Sequence, residues 1–216
     1  MEKPLASGRD ADVYPLGESR VLRRYRAGGD VTPEATVMTY VGGWGYPVPR
    51  VYAASGPDLV LERLTGPTML DAVRAGQLTV AEAGAILADL HGRLHTLPPR
   101  LGRRPGDRVL HLDLHPLNVL MTAAGPVVID WRNADEGPAE LDVALTALIL
   151  AWAALDPGSE LAEPARAMLA AFLAAADDAL SRLDDAVARR TRDPAFSAAE
   201  RDRLPAAAAL VRTLSP

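Results

Sequence analysis

Residues 111–120 read HLDLHPLNVL, and ten residues after Leu120 an apolar run, VVID, ends on Asp130. His111, Asp113, His115 and Asn118 are thus set among leucines, and three kinds of chemistry use such a set. In an extended segment His111, Asp113 and His115 would share one side and could hold zinc or manganese. A buried polar network under a helix is a second possibility, and it accounts for one or two of these residues. Phosphoryl transfer is the third. It requires oxygen ligands for Mg²⁺, which Asn118 and Asp130 offer as a carbonyl and a carboxylate. It also requires a separate carboxylate to orient an acceptor hydroxyl and take its proton, and Asp113 is placed for that. Pro116 breaks the extended segment and no histidine follows His115, which weakens the first reading. The second leaves the whole spacing unexplained. His91 and His95 lie one helical turn apart without the intervening Glu of HExxH, a spacing that reads as packing or surface.

The elements that must hold these residues follow from pattern. Residues 12–16 and 20–25 read as short strands joined by Gly17-Glu18-Ser19. Thr32, Pro33 and Glu34 mark the start of a helix that runs to Gly42-Gly43. Residues 47–54 and 58–64 read as two more strands, separated by Ser55-Gly56-Pro57-Asp58. After Thr65-Gly66-Pro67 the chain turns helical. Residues 68–75 form a short amphipathic piece, and Thr79 to Glu82 is a capping box that opens a helix to about Leu97. Thr122 to Gly125 turns between two short strands, NVLM and PVVID, and would bring Asp130 back beside Asn118. From Glu140 onward three or four helices are predicted, the last opened by a second capping box at Ser197 to Glu200. Strands followed by helices indicate an α+β fold.

A chain of 216 residues suits one domain or two small lobes, and with nearly half of it apolar it can bury a substantial core. The net charge of −5 argues against nucleic acid as the main partner. Cysteine is absent, which removes disulfides and thiolate chemistry and agrees with a cytoplasmic location. The longest apolar run, residues 143–155, falls short of the ~20 residues of a membrane helix and reads as a buried helix, so no membrane association is expected.

HLDLHPLNVL with VVIDW resembles the aminoglycoside phosphotransferase and choline kinase-like enzymes, the small-molecule branch of the protein-kinase-like superfamily. The resemblance spans about residues 5–150. GRDADVY is similar to the family's phosphate loop, VLRRY to the strand with the ATP-contacting basic residue, TPEATVMTYV to the helix whose Glu pairs with it, LVLERLTG to the adenine-contacting hinge, and AELDVALTAL to the segment after the metal-binding Asp. The resemblance implies a two-lobed kinase-like fold, with a nucleotide-binding lobe over residues 1–64 and a helical lobe over 65–216. It implies ATP and Mg²⁺ as cofactors and a small-molecule hydroxyl as acceptor. Asp113 would be the catalytic base, Asn118 and Asp130 the Mg²⁺ ligands, and His111 and Asp142 the support of the catalytic loop. Ser7, Gly8, Arg23, Glu34, Glu62, Arg63 and Leu64 would form the nucleotide site.

The chain departs from that pattern in two places. Its one lysine is Lys3, ahead of the first strand, so an arginine must replace the usual phosphate-binding lysine. Arg23 and Arg24 face opposite sides of a strand, and Arg23, which alternates with Val21, is the candidate. The phosphate loop has a single glycine, Gly8. A nucleotide- or protein-binding pseudokinase is therefore the alternative. Residues 156–216 hold ten acids and eight arginines, a balance that gives no argument for a polycationic acceptor.

Overall fold

A computed structural model describes residues 3–215 apart from 9, 157 and 195. It opens with β1 (Ala6–Ser7), β2 (Ala11–Pro15), β3 (Arg20–Tyr25), α1 (Thr32–Gly43), β4 (Val51–Ser55) and β5 (Asp58–Glu62). The five strands form one antiparallel sheet in the order β1-β2-β3-β5-β4. Then come α2 (Met69–Arg74), α3 (Val80–His95), β6 (Arg108–Leu110), β7 (Val119–Thr122), β8 (Gly125–Val128) and β9 (Asp135–Gly137). Five helices close the chain: α4 (Ala139–Ala154), α5 (Ala162–Ala175), α6 (Leu183–Thr191), α7 (Ala198–Asp202) and α8 (Leu204–Leu214). This is the α+β, kinase-like arrangement of a small antiparallel sheet and a helical part.

The apolar run from Val143 becomes α4, the central helix. Val143 to Leu148 are all buried on it, and it packs against α3, α5, α6 and α8. The Thr79 capping box forms in full, with Glu82 N–H donating to Thr79 Oγ1 and Thr79 N–H donating to Glu82. Where α3 crosses α5 the helices meet at Gly84. A Cβ there would lie 2.7 Å from Ala171 Cβ and 2.8 Å from Phe172 N. Alanine is the better helix former by about 1 kcal/mol. Gly84→Ala is nevertheless expected to destabilise, because overpacking of this kind costs about 1–3 kcal/mol. A lowered urea midpoint checks this, and an unchanged or raised one would show that the crossing has slack.

Four local expectations need correction. The segment 47–54 is strand only from Val51. Pro47 and Pro49 lack a ladder donor, and the Pro47 carbonyl instead accepts from Val128 N–H at 2.9 Å. The strand predicted over 58–64 ends at Glu62, after which Arg63 N–H turns to Ser19 O at 2.9 Å. Thr32, whose type suits an N-cap, is instead the first residue of α1: Val31 holds the cap position without a side-chain bond, and Asp30 Oδ1 takes the Thr32 N–H at 2.9 Å. The final helix is two: the Ser197 capping box opens α7, and α8 restarts after Arg203 with proline in its first turn.

The hinge Thr65-Gly66-Pro67 lies against the β7–β8 hairpin. Gly66 has φ +149°, and a Cβ on it would fall 2.1 Å from Met121 O, so only glycine fits this approach. Pro67 O accepts from Met121 N–H at 2.8 Å. The hairpin is thereby pinned to the hinge at one end and to Pro47 at the other.

Candidate active site

β7 and β8 pair Val119 with Val128. One step further, Ile129 N–H donates to Asn118 O at 3.0 Å, which sets Asp130 beside Asn118. Asp130 has left-handed backbone, φ 64°, which turns its carboxylate off the strand direction and toward β3. There Arg23 forks, donating one nitrogen to Glu34 and the other to Asp130. Glu34 is held in turn: Tyr25 Oη donates to it, and so does Trp131 N–H at 3.1 Å. Burial alone would lower the Arg23 pKa, but Glu34 and Asp130 outweigh it, so the guanidinium is held charged. The burial of Tyr25, with Glu34 beside it, pushes its phenol up and keeps it a neutral donor. Arg24 points away and pairs with Asp58, as strand alternation requires.

The loop between His111 and Asn118 is not extended. Leu112 is left-handed, φ 63°, and residues 116–118 form a 3₁₀ turn begun by Pro116. His111, Asp113 and His115 therefore do not line one side. His111 is fully buried, its ring against Trp131 and its Nε2 3.0 Å from Ile129 O. His115 Nδ1 accepts from Leu117 N–H and its Nε2 sits 3.2 Å from Asn118 Nδ2, so it shapes the turn that presents Asn118. The alternating metal triad is not assembled.

Asp142, at 0% exposure on α4, stands behind the loop. Its two oxygens take Leu112 N–H at 2.6 Å and His111 N–H at 2.9 Å, which fixes the left-handed step at Leu112. Burial would raise its pKa, but His95 and the two backbone N–H donors bonded to it hold it well below the ordinary carboxylate value. Burial lowers the His91 pKa and keeps that ring neutral.

Two ion pairs reach this site from distant sequence. Arg190 on α6 donates to Asp113, and both side chains are largely buried. Burial would raise the Asp113 carboxyl, but Arg190 and His115 outweigh it, and the group stays ionised. Arg132 pairs with Asp10 at 2.7 Å and so ties the β1–β2 loop, which carries Gly8 and follows Ser7 at the end of β1, to the residues after Asp130. Glu62 and Arg63 are exposed and Leu64 half-buried at the end of β5, with Glu62 Oε2 taking the Arg50 N–H.

A family model described as the phosphotransferase enzyme family matches residues 2–108 and 101–180. The chain belongs to that family. No curated protein matches it significantly. Among solved structures, a choline/ethanolamine kinase family protein from Mesorhizobium loti is similar over 98% of this chain and 87% of its own, at 15% identity and a TM-score of 0.59. The gentamicin complex of APH(2")-IIa aligns over 97% and 90% at 14% identity, with a TM-score of 0.59. Amicoumacin kinase hAmiN, in complex with AMP-PNP, Ca²⁺ and Ami, aligns over 99% and 89% at 15% identity, with a TM-score of 0.56. At these identities the likeness is one of fold.

The donor set of this phosphotransferase family member fits a hard divalent cation. Asn118 commits its Nδ2 to Asp113 O at 2.9 Å, which leaves the carbonyl oxygen Oδ1 to point elsewhere. Asp130 gives Oδ1 to Arg23, and its Oδ2 has no hydrogen-bond partner among the described residues. Two oxygens of this kind suit Mg²⁺ with phosphate oxygens and water completing the shell. No helix among the described residues is long and apolar enough to cross a membrane.

Sequence reasoning missed Arg190, Arg132 and Asp10. A sequence in which arginine supplies 22 of the 23 basic residues gives no signal to pick them out.

Proposed function

We propose that the protein transfers the γ-phosphate of ATP to a hydroxyl group of a small molecule. Asp113 accepts the hydroxyl proton and aims the oxygen in line with the phosphate. Asn118 and Asp130 hold Mg²⁺, which neutralises charge on the phosphates. Arg23, braced by Glu34, leaves Asp130 on nucleotide binding and clamps the α- and β-phosphates, a task its planar fork performs well. Ser7 and Gly8 close over the phosphates, and residues 62–64 line the adenine. His111 and Asp142 hold the catalytic loop. The lobe boundary falls at Leu64–Thr65. The observation that carries this reading is the convergence of Arg23, Glu34 and Asp130 from three separate elements, with Asn118 one ladder step away.

A second reading has its own observation: Asp113 is already engaged by Arg190 in a part-buried ion pair. In that reading the chain binds nucleotide without turnover. One experiment separates the two. Melting is followed with ATP, with Mg²⁺ and with both, for the wild type and Asp130→Ala, while ADP release is assayed against a panel of hydroxyl compounds. Ligand at ~100 times its Kd adds about 2.7 kcal/mol by mass action, so a clear upward shift is expected with ATP plus Mg²⁺. Asp130→Ala is expected to lose the Mg²⁺-dependent part. A shift without ADP release favours the second reading, and no shift at all overturns both.

A further inference from the structure

A second polar cluster lies on the far side of Asp142 from the catalytic loop. His91 and His95, one turn apart on α3, both face this carboxylate. His95 Nε2 lies 3.1 Å from Asp142 Oδ2, and His91 Nδ1 lies 3.5 Å from the same oxygen. The three ligand atoms are all within 4.8 Å of one another. Tetrahedral Zn²⁺ with bonds of about 2.0–2.1 Å places its ligand atoms about 3.3–3.4 Å apart. The two histidine–carboxylate separations bracket that spacing, and the two imidazole nitrogens, within 4.8 Å of each other, must close on the ion.

The hydrogen bonds fix which nitrogen of His91 is free. Thr146 Oγ1 spends its one proton on Leu114 O at 2.7 Å. His91 Nε2, 2.8 Å from the same hydroxyl, must therefore be the donor to it. A neutral imidazole protonated at Nε2 carries a lone pair at Nδ1. That Nδ1 is fully buried and has no hydrogen-bond partner among the described residues. An acceptor nitrogen aimed at a carboxylate satisfies neither group. A cation between them satisfies both, and the Nε2–H to Thr146 is the outer hydrogen bond that ligating histidines usually make. At His95 the metal takes the place of the hydrogen bond between Nε2 and Asp142. A cavity of about 260 Å³ adjoins His91 and His95, with Asp142 buried behind them, and is also lined by Asp89, Gly92 and Asp177. It gives a route for the ion, a negative rim, and room for a water as fourth ligand.

We propose that His91 Nδ1, His95 Nε2 and Asp142 Oδ2 form a binding site for a borderline transition-metal ion such as Zn²⁺, separate from the Mg²⁺ site. Two imidazoles and one carboxylate select this class over Mg²⁺, which wants oxygen ligands throughout. The ion also bears on the catalytic loop, because Asp142 is the shared group: Oδ2, the proposed ligand, also takes the His111 N–H, and Oδ1 takes that of Leu112.

The test is a Co²⁺ titration of the chelator-stripped whole protein, kept in millimolar Mg²⁺ so that the hard-cation site is filled. Visible absorption should rise to one equivalent with the strong bands of four-coordinate Co²⁺, and Zn²⁺ should abolish them. His95→Gln and His91→Gln should each weaken Co²⁺ by more than about 100-fold, beyond what loss of an outer partner costs. Asp130→Ala should leave the bands unchanged. Melting of each variant without metal reports whether it is folded, and should His91→Gln fail to fold, His95→Gln decides alone. Absent bands in the wild type, bands that survive His95→Gln, or bands lost in Asp130→Ala would overturn the site. The readout is spectroscopic, so it stands whether or not the protein turns over ATP.

Discussion

Asp113→Asn is expected to lower the rate of ADP release by about 10²- to 10⁴-fold, the range that a positioned general base contributes. The substitution keeps the size of the side chain and removes its basicity. Nucleotide binding should survive, because Arg23, Glu34, Asn118 and Asp130 do not depend on the Asp113 carboxylate: Asn118 bonds its backbone carbonyl. Arg190 loses a charged partner but keeps Asp193 at 3.6 Å, so the fold should hold. The measurement is the initial rate of ADP release with Mg²⁺, using any hydroxyl compound the wild type accepts and water as the default acceptor. The nucleotide-dependent melting shift serves as a control. An undiminished rate with that shift intact would remove Asp113 from the base role.

What the sequence conveyed and what it hid divide along a physical line. Short-range signals were legible. The Thr79 capping box, the turn at Thr122 to Gly125 and the unbroken apolar run that becomes α4 each depend on neighbours within a few residues, and each formed. The ordered motifs were legible too, because Asn118 and Asp130 are joined by one hairpin whose register needs no distant contact. What escaped was set by packing between remote segments. Arg190 reaches Asp113 across 77 residues, and nothing in the local pattern of α6 marks it among neighbouring arginines. His91 and His95 read as packing residues because the pair alone says nothing about what faces it. Only the fold of α4 against α3 brings Asp142 to them. The break between α7 and α8 is different: Pro205, in the first turn of α8, is a local signal for a restart that a single-helix reading passes over.

Asp142→Ala is expected to be the most destabilising single change in the molecule, by about 3–5 kcal/mol, the cost of removing one partner from a buried charged network. The sum is easily reached. Leu112 and His111 are buried and their N–H groups both lose the carboxylate, and a hydrogen bond to a charged group is worth about 1.5–3 kcal/mol. Leu112 is also a non-glycine residue in left-handed backbone, which the two bonds hold in place. Asp142→Asn separates charge from shape. Its carbonyl can still serve one N–H, while its amide meets the other N–H donor to donor, so it should lie between Ala and the wild type in stability. A denaturant titration measures both. The loop that carries Asp113 rests on Leu112, so a variant that remains folded should also lose ADP release even though Asp142 touches no reacting atom. The split would be diagnostic: reduced kcat at little-changed nucleotide affinity marks a positioning residue, whereas a folded variant with full activity would mean that the loop keeps its shape without Asp142.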